Sequence, residues 1–194
     1  MYPDKEDFFS WKRSGNGSFS TKKLTKLIME KVFPSNNSNL VTMKNNLVPK
    51  KVEVFVWRAK RERLPVLSEL DKRGIDLHSV LCPLCGLEIE SVKHSLLSCV
   101  YVREIWEKVC DWWSFDSANL SFDNLLCGCG PSNCSDLGRQ IWQAVEWISG
   151  YLVWRNRNQK AFKKLSWTAP NALSEIQVLS FDWVAKRCKQ RKVK

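Results

Sequence analysis

One stretch constrains this chain more than any other: CPLCGLEIESVKHSLLSC, from Cys82 to Cys99. It reads C-x2-C-x8-H-x4-C. Pro83 lies inside the cysteine pair and Gly86 just after it, residues that hold a tight turn and let both sulfurs aim at one point. Cys99 follows His94 by five positions, which suits a histidine inside a short helix and a cysteine at its end. Ser91 is placed to cap that helix. Three sulfurs and one imidazole match the closed tetrahedral shell of structural Zn2+, so Cys82, Cys85, His94 and Cys99 are the candidate ligands. The alternative is a set of buried free cysteines beside an ordinary histidine. Spacing, turn residues and histidine together favour the metal.

A chain of 194 residues with 44% apolar side chains and ten tryptophans can bury a real core, which argues against disorder. No apolar run approaches the length of a membrane span. The opening MYPDKEDFF lacks the basic-then-apolar pattern of a secretion signal. The expectation is an intracellular, reducing setting, in which eight cysteines speak for metal binding rather than disulfides.

The net charge of +11 is unevenly spread. Residues 1–81 carry +7, residues 82–138 carry −5, and residues 139–194 carry +9. A polyanion is therefore expected to meet the flanks rather than the cysteine loop.

The periodicities predict a mainly α fold: a small helical domain closed by the CCHC clasp, then a pair of long C-terminal helices. The expected divisions are an extended lead (1–18), the zinc-binding part (19–113), a Cys/Gly loop (114–136) and a helical region with a basic tail (137–194). A first helix runs from Ser20 to about Val32, with Leu24, Leu27, Ile28 and Val32 on one face. A second runs from Pro49 to about Arg63, striped by Val52, Phe55, Val56 and Ala59. A short third starts near Val66 and stops at Gly74. Beyond Cys99 a helix reaches Trp113, burying Val102, Ile105, Trp106 and Val109. Leu137, Ile141, Val145, Ile148 and Leu152 stripe a long helix to Phe162, and Leu173, Ile176, Leu179, Trp183 and Val184 stripe the last one. In the loop, Cys127, Cys129 and Cys134 either bind a second metal or are surface thiols; no fourth ligand stands nearby.

Three basic clusters follow from this layout. Arg58, Arg61 and Arg63 end the second helix, Arg155, Arg157 and Lys160 end the fourth long segment, and Lys186, Arg187, Lys189, Arg191 and Lys192 form the tail. Cations in a last helical turn also suit the helix dipole, so a nucleic-acid role needs Trp57 or Phe55 partly exposed beside them for stacking. The tail reads as a nuclear-import signal, a nucleic-acid contact or a solvated end.

The clasp and its flanks resemble the zinc-binding domain found C-terminal to plant LINE-type (non-LTR) retrotransposon reverse transcriptases. CPLCG, then Ser91, His94 and Cys99, carry the resemblance, with Trp11, Gly17, Phe19 and Ser20 upstream. Pro49, Lys50, Val52, Phe55, Trp57 and Arg58 match its P-K-V-x-x-F-x-W-R segment, and Leu64, Pro65, Arg73, Gly74 and Ile75 the L-P…R-G-I segment. WRNRNQKAF, from Trp154 to Phe162, is similar to its W-x-x-R-N-x-x-x-F. The resemblance implies template or target-DNA engagement beside a polymerase. That family's polymerase region carries Tyr-x-Asp-Asp, and no adjacent Asp-Asp pair occurs here. The expectation is thus a non-catalytic, zinc-stabilised module that binds RNA or DNA in the nucleus. A protein-interaction domain derived from a retroelement is the alternative, and neither reading involves a membrane.

Overall fold

The computed structural model describes residues 10–12, 17–32, 44–127, 134–163 and 168–191. Contacts divide the chain into two compact units, residues 1–42 and 43–194. The zinc-binding segment expected over 19–113 thus spans both, and the C-terminal helices belong to the second.

The first unit holds helix α1, Thr21–Val32. Before it, Trp11 and Phe19 meet edge to face at 5.4 Å, and the Trp11 N–H bonds the Gly17 carbonyl. Leu24 stands at the border of exposure; the side chains of Ile28 and Val32 lie outside the described residues.

The regular structure among the second unit's described residues is helical, apart from one isolated antiparallel bridge between Leu81 and Ile89. Its helices are α2 (Lys50–Lys60), α3 (Leu67–Asp71), α4 (Val100–Trp112), α5 (Phe122–Cys127), α6 (Asp136–Lys163) and α7 (Ala169–Arg191). Helix α2 buries Val52, Phe55, Val56 and Ala59, the stripe expected of it, and stops three residues earlier than expected. Helix α3 is followed by a turn closed at Gly74, whose φ of +77° lets the Ile75 N–H return to the Leu70 carbonyl. Helix α4 buries Val102, Ile105, Trp106, Val109 and Cys110.

Helix α6 is the centre of the unit. A stripe flanked by Trp142 and Trp154 was expected, and both are buried, but the helix packs more widely, against α2, α5, α7 and the turn at His94. Residues 144–150 are consequently buried all round, Trp147 and Ser149 included. Leu137, at the exposed end of the expected stripe, stays largely in solvent. Ahead of α2, the buried Asn45 donates to the Gln140 carbonyl at 2.9 Å and to Gln143 Oε1 at 3.0 Å, and accepts from the Leu47 N–H. That side chain locks the entry to α2 onto α6.

The loop expected over 114–136 contains a helix. In α5, Ser121 accepts from the Asn124 N–H at 3.1 Å, and Leu125 and Leu126 are buried against α6 and α2. The S-x-x-N cap and two adjacent leucines are a short amphipathic signal, overshadowed by the Cys/Gly run that follows. Among the described residues, no helix is long and apolar enough to cross a membrane.

Candidate metal centre and the basic face

Residues 80–90 form a small knuckle. The Glu90 N–H bonds the Val80 carbonyl at 2.9 Å and the Cys82 N–H bonds the Glu88 carbonyl at 2.8 Å, closing a short hairpin. The Gly86 N–H returns to the Cys82 carbonyl, and its φ of +68° turns the chain past Cys85. The Leu87 N–H then points at the Cys85 sulfur at 3.5 Å.

The other two ligands come from a single π-helical turn, His94–Ser98. Ser91 Oγ accepts from the His94 N–H at 3.0 Å, the cap expected of it. The Cys99 N–H reaches back five residues to the His94 carbonyl at 2.9 Å, so histidine and cysteine stack on one side of the turn. Helix α4 springs directly from Cys99, and Trp106 Nε1 ties it back to the Leu96 carbonyl at 2.8 Å.

Sulfur and nitrogen converge. Cys82 Sγ and Cys99 Sγ are 4.0 Å apart, Cys85 Sγ and His94 Nε2 are 3.4 Å apart, and all four ligand atoms lie within 4.8 Å of one another. A tetrahedral zinc ion requires S···S of about 3.8 Å and S···N of about 3.6 Å, from its usual bond lengths. The donor set fits Zn2+, with Cys82, His94 and Cys99 buried and Cys85 half-buried. His94 Nδ1 lies 3.1 Å from Glu88 Oε2, a carboxylate approach not aligned as a hydrogen bond, and this leaves Nε2 to face the metal position. The Cys82 thiol, donating to Cys99 and buried, is pushed far above the usual range. The same bond, helped by the Tyr101 and Val102 N–H groups at the start of α4, lowers Cys99. A metal ion bound here takes these sulfurs as thiolates, so its binding would release their protons.

The comparisons with known proteins agree with this geometry. Residues 19–106 match the family model described as zinc-binding in reverse transcriptase. That match takes in α1, α2, α3, the whole clasp and the first half of α4. No curated protein and no solved structure matches the chain significantly.

One sequence-predicted contact residue lies elsewhere than expected. Arg157, expected at a phosphate-binding surface, is buried in the core, with 1% of its side chain exposed. Its Nε and Nη2 fork onto both oxygens of Glu90, which is itself fully buried. Glu90 also accepts from Ser95 Oγ at 2.8 Å and from the Leu67 N–H at 2.7 Å. One carboxylate thus joins α3, the knuckle, the π-turn and α6. The sequence gives a faint hint, since Glu90 sits inside the spacer of a metal motif where a solvated acid has no special use.

The remaining predicted contacts separate by location. Trp57 is 40% exposed while Phe55 is buried, so the stacking condition is met by Trp57. Arg61 lies over that indole at 4.8 Å, and Arg58 and Arg63 are exposed. Lys160 is exposed near the end of α6. Arg155 is half-buried and paired with Glu175. On α7, Lys186 is exposed and paired with Asp182, and Arg187 donates to the Trp183 carbonyl. The side chains of Lys189 and Arg191, and Lys192 altogether, lie outside the described residues. Cys127 is exposed with Lys60 Nζ 3.4 Å from its sulfur, and Cys134 is half-buried. Cys129 lies outside the described residues.

Proposed function

We propose that the chain is a zinc-stabilised nucleic-acid-binding module, of the type carried by plant LINE-like retroelements, acting in the nucleus and performing no polymerisation itself. The observation that supports this best is the outer face of α2. There an exposed tryptophan stands among cations, on the side opposite the buried Val52, Phe55, Val56 and Ala59. Exposed indoles beside guanidinium groups recur where proteins hold nucleic acid, because the ring takes a base and the cations take phosphates.

A salt titration tests the proposal. Log affinity of the zinc-loaded protein for RNA or DNA should fall linearly with log salt concentration, and each phosphate contact removed should lower the slope by about one. Replacing Arg58, Arg61 and Arg63 with Gln should weaken binding and flatten the slope while leaving zinc content unchanged. Equal binding by parent and variant would reject the α2 face.

A second reading has its own support. Leu81, Leu87 and Ile89 are exposed on the knuckle, the last two in the acidic part of the chain and Leu81 at its border. An apolar, acidic surface of that kind suits a protein partner, and such docking would respond little to salt.

A further inference from the structure

We infer that the nucleic acid taken by α2 is single-stranded, held by stacking of an unpaired base on the Trp57–Arg61 pair. This deepens the reading above and rests on it. At 3.6 residues per turn, Lys50, Val54, Trp57 and Arg61 fall on one line along the exposed side of α2, with Arg58 on its flank. Val54 is 55% exposed and Trp57 40% exposed, so the middle of this line is apolar and its ends are cationic. A duplex offers a protein surface mainly phosphate and sugar, with its base faces stacked out of reach. An apolar centre bordered by cations complements a different object, a flat base between two phosphates.

The Arg61 guanidinium, 4.8 Å over the indole, sharpens the case. A guanidinium plane and an indole plane both accept a base face, so a base can extend the existing pair as its third layer. A second cation–aromatic group stands nearby. Lys51 Nζ lies 5.0 Å over the Trp183 ring of α7 and 5.5 Å over Tyr151 of α6. Lys51 and Trp57 are about 9 Å apart along the helix axis at 1.5 Å per residue. They are also about 120° apart around it, so Lys51 borders the Trp57 line rather than lying on it.

The test uses the zinc-loaded full chain, a fluorescently labelled oligothymidine and a hairpin duplex, read by anisotropy. Trp57→Ala should weaken single-strand binding by about 5- to 150-fold, the loss of one base–aromatic stack. Trp57→Phe should restore most of it, while Trp57→Leu, equally apolar, should not. Duplex affinity should change less than twofold in all three. The salt slope should stay constant across the Trp57 series and drop by about one in Arg58→Gln. Equal losses on single strand and duplex, or rescue by Leu as good as by Phe, would overturn the stacking inference and leave the nucleic-acid reading standing. If the parent bound neither probe, the nucleic-acid reading itself would fail, and the stripe would become a protein-docking face. Circular dichroism and zinc content, unchanged in each variant, separate these outcomes from misfolding.

Discussion

Replacing Arg157 is the sharpest test of how the second unit is held together. The Glu90–Arg157 pair is sealed from solvent, its side chains 0% and 1% exposed. Arg157→Met removes the fork and leaves a buried carboxylate that still accepts from Ser95 and Leu67 but has lost its counter-charge. Breaking one side of a buried pair costs about 3–5 kcal/mol. For a domain of this size each kcal/mol moves Tm by about 2–4 °C, so Arg157→Met should lower it by about 6–20 °C. Arg157→Lys should not recover the loss, because an ammonium cannot fork onto both carboxylate oxygens. Glu90→Gln, leaving the guanidinium uncompensated, should cost a similar amount. The double variant should be clearly less unstable than the sum, with a coupling of about 2 kcal/mol or more. Urea unfolding followed by circular dichroism, on zinc-loaded protein, measures all four. Single variants within about 1 kcal/mol of the parent, or a double variant equal to the sum, would refute the reasoning. The salt slope of nucleic-acid binding should not change in Arg157→Met, which separates this core role from a phosphate contact.

Other outcomes follow from the site and the core. Cys85→Ser should abolish zinc binding and unfold the knuckle and π-turn, given that structural zinc contributes on the order of 10–16 kcal/mol in small peptides; metal analysis of the pure protein checks it. Burial pushes the Glu146 carboxyl up to about 9, and one of its oxygens has no partner among the described residues. The folded state therefore holds a proton that the unfolded state releases above about pH 4.5, so this group's penalty grows from there to about pH 9 and reaches about 3 kcal/mol at pH 7. Glu146→Gln should remove it: the stability gain over the parent should be absent near pH 4 and rise with pH, and a gain independent of pH would sink the argument. Primer extension with Mg2+ or Mn2+ should yield no product from homogeneous protein, since no adjacent aspartate pair is present to hold two metal ions.

Much of this was legible in the sequence, for identifiable reasons. Metal ligands are few in kind and their spacing is stereotyped, so Cys82, Cys85, His94 and Cys99 could be chosen before any coordinates. The Ser91 cap, the buried faces of α2 and α4, and the C-cap at Gly74 follow from local rules that act within four residues. What was not legible depends on partners distant in the chain. Arg157 in WRNRNQK reads as surface charge because nothing local reveals a carboxylate 67 positions upstream. Asn45 and Glu146, polar residues that packing forces inward, likewise carry no local sign of their burial. Helix α6 was read as one stripe flanked by Trp142 and Trp154, whereas the neighbours packed on it bury every residue from 144 to 150.

The burial of Arg157 also changes how the charge pattern should be read. The −5 of residues 82–138 and the +9 of residues 139–194 count side chains, but Glu90 and Arg157 neutralise each other inside the core. Each segment thus loses one charge of its majority sign from the surface. Glu146, protonated at neutral pH, removes an acid from the basic segment as well. The contrast between an acidic clasp region and basic flanks therefore survives on the surface, and of the predicted contact cations Arg58, Arg63, Lys160 and Lys186 remain exposed, with Arg61 over its indole. These stand on α2 and the turn after it, on α6 and on α7, whereas the clasp joins to that scaffold from within, through Glu90 and through α4. On the proposed reading, zinc would act on a polyanion only through the fold: it fixes the π-turn against α6 and α4 against α7, and α6 in turn carries α2. Metal loss should then weaken nucleic-acid binding in step with the loss of helical signal, rather than ahead of it.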